Sequence, residues 1–304
     1  MTPSYSKEQS KSDSMQSSHR LPPELNSELS PMSYHYCPTE VFLSIVTNKS
    51  IWLSDINTMN DFFEMHWAYD RFIEAANLVI NRVGRDFIDK VDKIVHEGGF
   101  HLLPFVAAFS SDGDVLSQWR SYAENATGVA IGFDSEQLKE LSVRTTQIVY
   151  SREKQIDHFV KMILAGFDVY SELEATKKHD FLFEYAANLL MDMSCFKNPA
   201  FAEEKEIRLI RAINVANKGN QWSLSDGGGV RERVSRKKLE IKFRSKGGGV
   251  VSYIDLPLRG LNSFVIKHVI LGPRSPNNGK EISIVLSANG FKDCKITKSS
   301  TPYR

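Results

Sequence analysis

Phe201-Ala202-Glu203-Glu204-Lys205-Glu206-Ile207-Arg208-Leu209-Ile210 is the stretch on which the reading of this chain turns. From Glu206 to Ile213 polar and apolar residues alternate, the period of a β-strand, so alternate side chains project to one side. The acids at 204 and 206 open that pattern and are expected to project together, with Ile207 and Leu209 turned to the core. Two like charges at that spacing repel. A fold tolerates them at an exposed edge or at a site that uses them, and both readings stay open. The strand follows two helical patterns, at about 152–166 and 170–193, and precedes a glycine-rich stretch. Strands and helices intermix along the chain without a βαβ rhythm, which argues for an α+β fold over a doubly wound sheet.

Working back from that stretch, strands are expected at Arg144–Tyr150, Gly128–Phe133, Leu102–Phe109, Ile51–Leu53 and Tyr34–Tyr36. Helices are expected at Ser135–Leu141, Val115–Glu124, Asp86–His96 and Phe62–Val83, and from Glu40 to Val46 with Thr39 as N-cap. Working forward, Gly227–Gly229 and Gly247–Gly249 bracket a hairpin-like stretch. Strand (Val250–Ile254), strand (Phe264–Leu271), helix (Lys280–Asn289) and strand (Lys292–Ile296) follow. Residues 1–32 are rich in Ser, Pro, Gln, Glu and Lys and too poor in apolar groups to offset the entropy of ordering, so they read as a disordered tail. Residues 33–304 read as a single domain.

Composition narrows the function classes. A net charge of +1 over 304 residues creates no global field, so a preference for nucleic acid or membrane must come from a local patch. Three cysteines, Cys37, Cys195 and Cys294, lack metal-ligand spacing and make no disulfide framework; no metal is expected. With no secretory leader and no apolar run of about 18 residues, the expected location is the cytoplasm, without a membrane span.

Three further segments carry residue types suited to chemistry. In Tyr34-His35-Tyr36-Cys37, a histidine flanked by aromatic rings can bond a ribose hydroxyl, though a histidine at a strand start can equally be structural. In Leu116-Ser117-Gln118-Trp119-Arg120-Ser121-Tyr122-Ala123, Trp119 reads as core. Arg120 offers a planar fork for a pyrophosphate and Tyr122 a ring to stack on a flat cation. Between Arg231 and Lys246, eight basic residues stand against two acids. Such a patch can track a phosphate backbone through Arg233, Arg236, Lys237 and Lys238, with Phe243 to stack on a base; a solvated edge hairpin is the competing account. Gly227–Gly229 lacks the G-x-G-x-x-G spacing of a dinucleotide loop.

These segments, in this order, resemble the bacterial family of unknown function DUF2971. The likeness rests on Ile51-Trp52-Leu53-Ser54, Asn60-Asp61-Phe62-Phe63-Glu64, Trp119/Tyr122/Ala123 with Gly128-Val129, and Phe201/Glu204/Glu206/Arg208, and spans roughly residues 34 to 272. The chain departs from the family at Phe62, where proline is common, near Ser121 and Ala126, where histidines are common, and at Ile207, where an aromatic is common. More remotely the pattern is similar to ADP-ribosyltransferases, which place a His or Arg on an early strand and a Glu, often in Glu-x-Glu, on a late one; toxin members that modify nucleic acid open with a segment resembling Tyr34–Cys37.

That resemblance implies a mixed or antiparallel split β-sheet flanked by helices, and NAD as substrate. It implies Glu206 as the carboxylate that stabilises the oxocarbenium-like ribose and Glu204 as the group that orients the acceptor. His35 and Tyr36 would sit on the adenosine side, Tyr122 on nicotinamide and Arg120 on the phosphates. The basic stretch favours nucleic acid, RNA above DNA, as acceptor. A transferase of this kind is a toxin or anti-phage effector and implies a neutralising antitoxin partner. Two other readings stand beside it: a non-enzymatic nucleic-acid-binding or interaction protein, and a metal-dependent nuclease using His35, Asp61, Glu64 and Glu206.

Overall fold

The alternating run after Glu204 forms the strand that organises the molecule. The computed structural model describes residues 29–58, 64–97, 101–228, 237–258 and 261–303. In chain order these hold β1 (Met32–Cys37), α1 (Thr39–Asn48), β2 (Ser50–Asp55), α2 (Glu64–Val83), α3 (Arg85–Glu97), β3 (Leu102–Ser110), α4 (Leu116–Tyr122), β4 (Val129–Asp134) and α5 (Ser135–Lys139). Then come β5 (Arg144–Gln147), α6 (Arg152–Glu172), α7 (Ala175–Met193), β6 (Glu206–Lys218), β7 (Gln221–Asp226), β8 (Ile241–Lys246), β9 (Gly249–Pro257), β10 (Ile266–Leu271), α8 (Gly279–Ala288) and β11 (Lys295–Lys298). This is a mixed α+β single domain.

The strands run β11-β10-β4-β1-β3-β2-β9-β8, with β6 paired to β3, β5 and β7. Among the described strands only β10 and β11 pair in parallel. The sheet splits at β3. One edge of β3 pairs with β6 from Leu102 to Ser110. The other edge meets β1 only at Ser110 and β2 only at Val106 and Phe105. Between those contacts Ala107–Phe109 has no strand partner on that edge, and β1 and β2 diverge from it as the prongs of a fork.

The two sheet faces bury different things. Odd positions of β3 and β6, among them Phe105, Ala107, Phe109, Ile207 and Leu209, pack with Ile51, Leu53 and Ile254 into one apolar core. Even positions face the other way. There Val106 and Ile210 meet α2, α3, α6 and α7 in a second core, while Tyr36, Ala130 and Ile270 meet Trp119 of α4 and Ala123 at its C-cap in a third, smaller one. On α2 the buried stripe is Ala68, Phe72, Ala75, Ala76, Val79 and Val83, spaced three and four residues apart. Met65, Tyr69, Ile73 and Ile80 flank that stripe, partly buried, instead of forming its centre.

Several local expectations are corrected. Pro38, not Thr39, occupies the N-cap of α1; the Thr39 hydroxyl instead accepts from Asn277. Helix α6 runs through Gly166 to Glu172; Gly166 does not end it but gives room to the Tyr185 ring, which a Cβ there would meet at 2.6 Å. Glu204 is not in the strand: it ends a 3-10 turn, Pro199–Glu204, started by the Asn198 cap. Residues 229–236, the first part of the basic stretch expected to form a hairpin, lie outside the described residues. The last part of that stretch, β8, pairs with β9 across Gly247-Gly248, both at positive φ, the two-residue turn that strand twist favours. The tail expected at 1–32 lies outside the described residues up to 28, and Met32 already belongs to β1.

Candidate functional site

The fork in the sheet opens into a cavity of about 360 Å³. Its floor is the middle of β3, Val106–Phe109. Its walls come from His35 of β1, Trp52 and Ser54 of β2, Tyr122 of α4, and the even positions of β6 and β8.

Charge fills one end. Lys197 Nζ lies 2.9 Å from Glu64, 2.6 Å from Glu204 and 3.2 Å from Glu206. Arg208 Nε and Nη2 donate to the two oxygens of Glu206 at 2.5 and 3.0 Å, and Nη2 donates to Glu64 at 2.6 Å. Arg208 Nη1 donates to the Ser194 carbonyl at 2.8 Å, and the Glu206 amide donates to the Tyr150 hydroxyl at 2.9 Å. Three carboxylates face two cations, so the cluster keeps one acid in excess. The geometry depends on Lys205, a non-glycine residue at φ +46° that turns the chain from the 3-10 element into β6. That turn brings Glu204 and Glu206 onto the same ammonium.

The two acids differ in character. Burial works against ionising Glu206, but Arg208 and then Lys197 outweigh it and hold its carboxyl below the ordinary range. At Glu204 burial dominates; Lys197 offsets it only in part and Glu206 and Glu64 add to the rise, so its pKa is raised. Burial likewise opposes the Lys197 charge, and Glu206 and Glu64 overcome it. The cluster thus holds two carboxyls whose surroundings shift them in opposite directions.

His35 sits at the fork itself. Its Nδ1 lies 3.0 Å from the carbonyl of Ala108, the group left without a strand partner there. Donating that bond places the ring proton on Nδ1, and burial lowers the ring pKa, with the carbonyl bond partly opposing, which leaves Nε2 as an acceptor. Tyr36 and Tyr122 also line the cavity. Tyr36 has its hydroxyl committed: it donates to the Asp112 carbonyl at 2.9 Å and accepts from the Val115 amide at 2.9 Å. Its ring packs at a steep angle against Trp119, so Tyr36 holds α4 in place.

Arg120 is not part of the cavity. It is exposed, with its guanidinium 5.5 Å from the ring of Tyr303. Helix spacing explains this: Gln118 and Tyr122 are four residues apart on the cavity side, and Arg120 falls between them on the far face. Lys237 and Lys238 are exposed ahead of β8, and Phe243 is exposed on the sheet face away from the cavity. Arg233, Arg236 and Asp61 lie outside the described residues. For the nuclease reading, Glu64 and Glu206 do meet, but Lys197 and Arg208 already occupy their oxygens.

Sequence reading missed Lys197 and the role of Glu64 as a bridge. It also missed Arg244 and Lys246, which line the cavity from β8. The signal for these two was period-2 spacing within the basic run, with Phe243 and Ser245 on the opposite face.

Among known proteins, the model of a family described as a protein of unknown function (DUF2971) matches residues 118–209. The chain is similar to that family over under a third of its length, a stretch that contains Gln118, Tyr122, Lys197, Glu204, Glu206 and Arg208. No curated protein and no solved structure matches the chain. Among the described residues no helix is long and apolar enough to cross a membrane.

Proposed function

We propose that the cavity is the active site of an NAD-consuming ADP-ribosyltransferase, a toxin or anti-phage effector acting on nucleic acid, with RNA as the favoured acceptor. The observation that supports this reading is the convergence of His35, Tyr122, Glu204 and Glu206, drawn from three separate stretches of sequence, on one cavity. Its volume falls in the range of about 300–1,000 Å³ usual for small-molecule sites.

In this reading NAD enters as substrate. Glu206, ionised and immobile, stands next to the ribose as the glycosidic bond breaks and positive charge develops there. The bonding electron pair leaves with nicotinamide and neutralises its ring nitrogen. A lone pair of the acceptor forms the new bond to the ribose carbon, and the acceptor proton passes to Glu204, whose raised pKa suits it as base. His35 accepts a ribose hydroxyl at Nε2, and Tyr122 flanks the nicotinamide ring. An activity of this kind harms its own cell, which calls for a neutralising protein partner; the cytoplasm is its place of action.

A second reading, a binding protein without turnover, draws on the fact that both Glu206 oxygens are already bonded within the protein. One experiment separates the two. Wild type and Glu206→Gln, both checked for folding, are incubated with labelled NAD and separate pools of RNA, DNA and protein. The transferase predicts label in the RNA pool and a loss of about 10²–10³-fold on substitution. No label in any pool and no nicotinamide release from folded wild type would leave the binding protein standing.

A further inference from the structure

The end of the cavity formed by β8 is built from the opposite charge. Arg244 has its guanidinium carbon 5.0 Å from the ring of Trp52 and 5.9 Å from that of Tyr253. Nη2 donates to the Ser54 hydroxyl at 3.3 Å, a long bond, and Nε is buried without a partner. Arginine carries five donors in a fixed plane, and this plane is positioned by aromatic rings, not by a carboxylate. Lys246 follows on the same strand face and has no partner among the described residues. Burial, and then the nearby Arg244, lower its pKa. Two cations, one of them carrying a buried donor without a partner, therefore line the cavity with no anion among the described residues paired to them.

We propose that Arg244 and Lys246, with Trp52 and Ser54 behind Arg244, form a subsite for the diphosphate of a dinucleotide and so fix the direction in which the substrate lies. A dinucleotide whose cationic nicotinamide end meets the excess carboxylate at Glu204, and whose anionic diphosphate meets Arg244 and Lys246, matches the cavity charge for charge. The reversed direction sets phosphate against three carboxylates. The orientation rests on the transferase reading; the anion subsite does not.

The test reads binding without turnover. Calorimetric titration of the full chain with ADP-ribose and with inorganic pyrophosphate is run on wild type, Arg244→Gln, Arg244→Lys and Lys246→Gln. Arg244→Gln should weaken ADP-ribose binding by about tenfold, the scale of one charge-assisted contact. Arg244→Lys keeps the charge but not the fork and should recover it only in part. Lys246→Gln, at the exposed end of β8, should weaken both ligands and covers the case in which Arg244→Gln fails to fold. Binding that is unchanged in these variants, or folded wild type that takes up neither ligand, overturns the subsite. Arg244-dependent binding without any nicotinamide release sinks the transferase and leaves the subsite. NAD turnover with an unchanged KM in Arg244→Gln sinks the subsite and leaves the transferase.

Discussion

Two arginines on β6, three residues apart and on opposite faces, are both 1% exposed, and they do different things. Arg211 makes a two-pronged pair with Asp226, Nε to Oδ1 at 2.9 Å and Nη2 to Oδ2 at 2.6 Å, and donates further to Ser142 and the Lys237 carbonyl. Asp226 in turn accepts the amides of Gly228 and Leu239. Charge there is balanced, and none of it borders the cavity. Arg208 belongs to a cluster with one acid too many, and that cluster does border it. A buried ion pair is therefore not the mark of a site. What distinguishes the Arg208 end is unbalanced charge beside space for a ligand.

The sharpest way to test the contrast is to break both clusters. Lys197→Met leaves three buried carboxylates against Arg208 alone, and Arg211→Met leaves Asp226 unpaired. Each should cost about 3–5 kcal/mol in urea denaturation. The two should separate in activity: the folded fraction of Arg211→Met keeps NAD turnover, and that of Lys197→Met loses it. Equal loss per folded molecule would erase the distinction.

Next in size is Glu204→Gln. Removing the proton acceptor should lower transfer by about 10²-fold while leaving the melting temperature within a few degrees, since Glu204 is the least buried acid of the cluster. A large fall in stability with unchanged transfer would make Glu204 architectural, like Asp226.

pH sharpens the same difference. Glu204 has a raised pKa, so its ionised form, and transfer with it, should fall away with a midpoint above its ordinary 4.5. Glu206 has a depressed pKa; the stability it contributes is present above its ordinary 4.5 and is lost only as pH falls through the lower folded value. Activity should thus disappear at a higher pH than the fold, as read by rates and far-UV dichroism across one titration. Coincident midpoints would remove the division of labour between the two acids.

The fold was legible in the sequence to the extent that periodicity was. The strand at 206–213 announces itself by alternation, that at 102–109 by an unbroken apolar run, and the helix after residue 64 by a 3–4 stripe. β7 does not, because Gln221–Asp226 is mostly exposed and only Asp226 is buried. The candidate site divides the same way. Glu204 and Glu206 stood out as acids two residues apart expected to project together, though a 3-10 turn and a left-handed Lys205 achieve it and not a continuous strand. Lys197 follows a helix end with no pattern to mark it, and Glu64 lies 144 residues from the arginine it holds. Arg244 was visible as one of eight basic residues; only strand register, absent from composition, says which of them turn inward.

Arg120 gives the smallest effect and the most direct check on that register. It was read from the sequence as a phosphate ligand, yet it lies on the outer face of α4, where its guanidinium and that of Arg274 each stand 5.5 Å from the Tyr303 ring. Ser299, Ser300 and Thr301 of the same C-terminal segment bond Asp114 at the start of α4. Arg120 therefore helps fasten the C-terminal strap to the helix that carries Tyr122. Arg120→Ala should cost about 0.5–1 kcal/mol of stability, the size of an exposed cation–π contact, and leave ADP-ribose affinity unchanged. A loss of affinity comparable to that of Arg244→Gln would move the phosphates to the α4 side of the cavity and reverse the direction of the bound dinucleotide.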